Sequence, residues 1–342
     1  MLVFGLLAAV IIWTLWAEGN PESERELRVS VRENLHEWFP EQMALPEDMI
    51  GFVSDPDPVG ACTGPDVVLL HGLDEPGGIW DATLEALEDA GLAGWEFRYP
   101  NDQALDHSAD LLARYWGGLD PDRPVVLVGH SMGGLVIRDF VSRWLYPGGM
   151  QGPLGGPPVA GVIQVGTPNQ GSEWARFRVW LEIREMLADI PEGRFSLFAG
   201  LRDGTGAAKI DLRPGSAYLE ALDSRIWPGE VPLRIIGGVL AEPTEAMAES
   251  IQSLPGELGS EEHAAQIQQW WAEAAEGLGD GVVPVESLGL SWAPPPLILE
   301  ASHRGLLVQG PLEDVAAPPA VGPIVELLES WIPTSRPCGA GS

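Results

Sequence analysis

Positive charge is what this 342-residue sequence has least of: 19 basic residues face 50 acidic ones, a formal net charge of −31. Phosphate backbones are held by clustered Lys and Arg, so the deficit argues against nucleic acid as a partner. An anionic membrane surface would repel the body of such a protein. Lysine is almost missing, with Lys209 the single one. Cysteine is nearly as rare: Cys62 precedes the first core strand and Cys338 lies in the C-terminal tail. With no Cys-x-x-Cys pair and six scattered histidines, no metal cluster is implied. If the chain is exported, a disulfide between the two cysteines would tie the tail to the domain.

Long apolar runs are also scarce. The N-terminal stretch of residues 2–17 carries no charge and includes Trp13 and Trp16. Sixteen residues at ~1.5 Å each reach ~24 Å, short of the ~30 Å hydrocarbon core. No basic residue precedes the stretch and no small-x-small site follows it, so an uncleaved anchor, a cleaved signal and a buried helix all stay open. The first two place the body of the protein outside the cytoplasm, with membrane association through residues 2–17. The expected organisation is therefore a hydrophobic segment over 1–19, a polar linker over 20–61 with one helix near Glu22–Phe39, a main domain over 62–332, and a tail over 333–342.

With 45% apolar residues, a sizeable core can be built. Continuous aliphatic runs at Val67–His71, Val125–Val128, Val159–Val165 and Leu233–Ile236 read as strands buried on both faces. Trp95–Tyr99 and Leu297–Leu299 are shorter strand signals. Helical periodicity recurs at Ile79–Ala90, Ala104–Trp116, Leu135–Leu145 and Val321–Trp331. This alternation predicts an α/β fold, a mostly parallel sheet flanked by helices. Nearly seventy residues separate the strand ending at Val165 from the one starting at Leu233, too many for a plain crossover. An insertion at about 172–230 is expected to form a helical cap or lid, its first helix amphipathic over Glu173–Ile190. A second helical stretch, Ser260–Leu278, carries Trp270 and Trp271 and leads into a glycine-flanked aspartate.

The chemistry is concentrated at Gly129-His-Ser-Met-Gly133. Gly-x-Ser-x-Gly alone is a weak signal in a chain with 42 glycines. Here a β-branched run leads directly in and an apolar helix leads directly out, the context in which a sharp turn lifts a serine above a sheet. The glycines let neighbouring backbone pass without a Cβ clash. Ser131 is then the candidate nucleophile, and the Met132 N–H at the helix start is free to stabilise an oxyanion.

Five stretches in order, Val67–Leu73, Val128–Gly134, Val165–Ser172, Gly279–Val285 and Ser302–Leu307, give the chain its resemblance to the lipase/esterase branch of the α/β-hydrolase family. It is similar to bacterial triacylglycerol lipases and to the GPI inositol-deacylase and lecithin-acyltransferase groups. The resemblance implies an α/β-hydrolase fold, an ester or lipid substrate, and no metal or organic cofactor. It implies a second oxyanion donor in the Leu73 N–H, with His71 and Gly72 shaping that loop. It also implies a substrate border that includes His71, Gly72, His130, Thr167 and Pro168. In the chain order Ser, Asp/Glu, His, the acid is expected at Asp280 and the base at His303. Asp211 and Asp223 are rivals for the acid but precede the strand at 233–236, and an Asx-type turn is the alternative role for Asp280. An imidazole exchanges protons near neutrality, which suits His303 to shuttle the serine proton. The implied activity is ester hydrolysis through an acyl-enzyme. Acyl transfer with the same triad and a non-catalytic, membrane-tethered binding protein are the alternatives.

Overall fold

The computed structural model describes residues 13, 16–46, 49–54, 64–73, 77–173, 204–240, 279–309 and 317–332. Seven strands form one sheet in the order β1-β3-β2-β4-β5-β6-β7. They are β1 Gly51–Ser54, β2 Val67–Leu70, β3 Gly94–Arg98, β4 Val125–His130, β5 Val159–Val165, β6 Leu233–Val239 and β7 Leu297–Glu300. All neighbours are parallel except β1, which runs antiparallel to β3.

Alternate side chains of the central strands feed two cores. Val68, Leu70 and Leu127 face one apolar cluster, while Val67, Leu69, Val126 and Val128 face the other. This two-sided burial is why these strands read as unbroken aliphatic runs. The main helices are α1 Pro21–Trp38, α2 Asp81–Asp89, α3 Leu105–Trp116, α4 Met132–Phe140, α5 Ala207–Asp211, α6 Ala217–Asp223 and α7 Val321–Trp331. Helices α3 and α4 pack into the first core, and α2 and α7 into the second. A wider π-helical turn, Val141–Leu145, continues α4.

Two features differ from the sequence expectation. The stretch read as a linker supplies β1, an edge strand whose Phe52 meets Phe97 at 5.0 Å. Its helix α1 is also docked on the domain. Arg25 pairs with Asp211 at 2.5 Å and Asp106 at 2.8 Å, and Glu24, only 1% exposed, pairs with Arg28 at 2.7 Å and Arg213 at 3.3 Å. The Thr205 hydroxyl donates to the Arg28 carbonyl at 2.7 Å. Nearby, the lone lysine, Lys209, is buried and pairs with Asp102 at 3.2 Å. These contacts hold the end of the β5–β6 insertion, where Ala208, Leu212, Tyr218, Leu219 and Leu222 join the first core.

The first cap helix, the stretch at 260–278, both cysteines and most of residues 2–17 lie outside the described residues. No helix among the described residues is long and apolar enough to cross a membrane.

Candidate active site

Parallel strands bring their carboxyl ends to one edge of the sheet, and loops gathered there are where α/β folds place ligands. Ser131 leaves β4 with φ 52° and ψ −125° and serves as the N-cap of α4. It is the one non-glycine residue with positive φ among the described residues. Such a backbone costs about 1–3 kcal/mol and needs its surroundings to enforce it. The glycines explain how the turn is enforced. A Cβ on Gly129 would meet Gly134 N at 2.5 Å, and one on Gly133 would run into the carbonyl oxygens of Leu70 and His71. Helix α4 therefore sits directly on the end of β2. Ser131 N–H donates to the Val165 carbonyl at 2.8 Å, clamping the turn to β5. The amide of Met132, in the first helical turn, has no acceptor within the helix.

The β2 loop closes over this turn. A Cβ on Gly72 would lie 2.8 Å from Ser131 Cβ, so only glycine lets the loop come this close. His71 stacks on Tyr99 with ring centroids 4.4 Å apart, and the Tyr99 hydroxyl donates to the His71 carbonyl at 2.5 Å. Burial lowers the His71 pKa below the usual imidazole range, which suits a loop-orienting residue. Leu73, which follows, packs against the first core.

Asp280 and His303 meet at the same edge. His303 Nδ1 lies 2.7 Å from Asp280 Oδ2, and because a carboxylate only accepts, Nδ1 carries the proton. Asp280 is 2% exposed. Its other oxygen, Oδ1, accepts the Val282 and Val283 amides at 2.9 and 2.8 Å. One oxygen of Asp280 thus shapes the Asx-type turn while the other pairs with the imidazole. His303 N–H also donates to the Asp280 carbonyl at 2.9 Å. The rival acids are engaged elsewhere, Asp211 with Arg25 and Asp223 with Arg138.

Gly166, just past β5 at φ +58°, links the two halves. A Cβ there would lie 3.1 Å from His303 Nδ1 and 3.3 Å from Asp280 Oδ2. Its neighbour Val165 is the residue that binds Ser131. Thr167 and Pro168 are buried, with Thr167 packed where a Cβ on Gly134 would collide with it. His130, 4% exposed, turns its Nε2 toward the His303 carbonyl at 3.2 Å.

Beneath the site runs a buried polar chain that sequence reasoning missed. Gln164 donates to the Gly134 carbonyl at 3.0 Å, Asn169 donates to Gln164 Oε1 at 2.8 Å and to Leu288 O at 2.7 Å, and Arg138 donates to Asn169 Oδ1 at 2.9 Å. It ties α4, the loop after β5 and Leu288, in the short helix Val285–Leu288 that follows the Asp280 loop, into one platform. The signal was Asn169 within Val165–Ser172, a stretch noted only as bordering the site.

The α/β hydrolase family model matches residues 67–318, and the chain belongs to that family. Among solved structures, a metagenomic carboxyl esterase matches at 17% identity with a TM-score of 0.50, covering 81% of this chain and 80% of its own. The lipase of Staphylococcus hyicus matches at 13% identity and a TM-score of 0.50, covering 82% and 97%. At these identities the likeness is one of fold. No curated protein matches the sequence.

Proposed function

We propose that this α/β hydrolase is a serine carboxylic-ester hydrolase that works through an acyl-enzyme. The observation that carries the proposal is the convergence of a strained serine and a buried Asp–His pair on the Val165–Gly166 step. Ser131 Oγ attacks the ester carbonyl carbon as His303 Nε2 takes its proton. Asp280 fixes the tautomer and stabilises the imidazolium. The Met132 and Leu73 amides hold the oxyanion. Collapse breaks the C–O bond, and the leaving alkoxide takes the proton from His303. Water, deprotonated by the same imidazole, then attacks the acyl-enzyme and releases the acid, regenerating Ser131.

Ser131→Ala is expected to lower kcat on p-nitrophenyl esters by about 10⁶-fold with the fold intact, and a fluorophosphonate should label Ser131 in the native chain. Activity retained in the variant, or no labelling of the native chain, sinks the proposal. Esters formed when a second alcohol competes with water would move the reading to acyl transfer.

A further inference from the structure

We propose that His130 is a positioning residue that sets the nucleophile-to-base spacing by donating its Nε2–H to the backbone carbonyl of His303. This inference rests on the ester-hydrolase reading and assigns His130 a role that needs no contact with substrate.

Two anchors already hold His303: its side chain binds Asp280 Oδ2 and its amide binds the Asp280 carbonyl. Both come from the acid loop, so neither fixes His303 relative to Ser131. The His130 bond does, because His130 immediately precedes Ser131. A contact across 173 residues makes the loop that carries His303 an extension of the turn that carries Ser131.

The geometry also sets the protonation state. A carbonyl only accepts, so Nε2 bears the hydrogen and Nδ1 is the bare nitrogen of a neutral ring. Nδ1 is buried without a partner; the place a Cβ on Gly72 would take is 3.4 Å from it. A proton on Nδ1 would be an unsatisfied buried donor. Burial, then the neighbouring His303, holds the His130 pKa well below the usual imidazole range, and Arg304 and His71 push the same way. The rings of His130 and His303 lie 4.7 Å apart. A neutral His130 leaves His303 as the imidazole of the pair that takes up the serine proton.

Glutamine places an amide N–H near the imidazole Nε2 position, whereas asparagine falls short and leucine has no donor. His130→Gln is expected to keep kcat within a few-fold, while His130→Asn and His130→Leu lose about 10²-fold in kcat, the scale of an ångström's misplacement. KM should stay within about two-fold, because the contact acts on geometry rather than on substrate binding. Proton NMR of the free protein supplies a readout without turnover. The low-field His303 Nδ1–H resonance should persist in wild type and His130→Gln and broaden in His130→Asn. Equal kcat in the folded Gln and Asn variants, or an unchanged resonance in His130→Asn, overturns the proposal. If His130→Leu fails to fold, the Gln–Asn pair decides alone. A wild-type chain inert to esters and fluorophosphonate would sink the hydrolase reading, while the resonance would still test this bond.

Discussion

Two of the places where the described residues bury charge are built differently. At the α1 dock, Arg25, Arg28 and Arg213 meet Glu24, Asp106 and Asp211 in a network of ion pairs. At the edge that holds the candidate site, Asp280 pairs with the His303 imidazole, which on the proposed reading gains and loses a proton in each turnover. The dock uses several pairs and tolerates partial exposure, with Arg25 side chain 24% accessible. The edge uses one pair, and backbone amides satisfy its remaining oxygen. An ion-pair network can share its load among many contacts. A group that is to exchange a proton in the proposed reaction needs a single defined partner and a fixed frame around it.

Breaking the catalytic pair should have the largest effect. Asp280→Asn keeps one oxygen for the Val282 and Val283 amides and turns an NH₂ toward His303 Nδ1, so the imidazole loses its tautomer. A drop of about 10⁴-fold in kcat is expected with little change in thermal stability. A comparable loss of stability would show that the turn, not the tautomer, was the main role.

Breaking the dock should do the reverse. Arg25→Met leaves Asp211, 1% exposed, with only the Leu105 amide at 2.9 Å among its described partners. A loss of about 3 kcal/mol in urea unfolding is expected, since an uncompensated buried charge remains. The kcat of the folded fraction should change little. A large fall in kcat at constant stability would mean that the dock shapes the site.

Acid should separate the regions by sign. His130 stays neutral in the folded chain, so below pH 6.5 the unfolded state binds a proton that the folded state does not, and stability falls with pH. Asp211 works oppositely. Burial outweighs Arg25 and pushes its carboxyl from 3.8 up to about 6. From pH 6 down toward 4 the folded chain binds the proton first, which adds stability. Each group bends the stability–pH curve by at most about 1.4 kcal/mol per pH unit. His130→Gln should flatten the loss of stability between pH 6.5 and 5, and Asp211→Asn should steepen it. Identical slopes in wild type and His130→Gln, read from urea titrations, would refute the sign assigned to the edge.

How much of this was legible in the sequence follows from how far each signal is local. The central strands were readable because both faces are buried, so every residue of Val125–Val128 had to be aliphatic. β1 was not: Gly-Phe-Val-Ser is four residues long, lies at an edge, and is half-exposed. The α1 dock was missed because Glu24 and Arg28 look the same in sequence whether they face water or each other. Ser131 was marked as the candidate nucleophile by the strand and helix that flank its glycine motif, and Asp280 and His303 as its candidate partners by chain order. The Asp280 amide bonds were foreseen as an alternative to its pairing with His303, because nothing local shows that its two oxygens divide the tasks. The His130–His303 contact depends on where two loops meet in space.

Fourteen other described positions turn to the left in their backbone, and each of them is glycine. Residue 131 breaks that habit. A hydrogen in place of the hydroxymethyl group would relieve the turn and leave the sheet, the helix and their packing untouched. On the ester-hydrolase reading proposed above, the chain accepts a less comfortable shape there for the sake of a reactive atom.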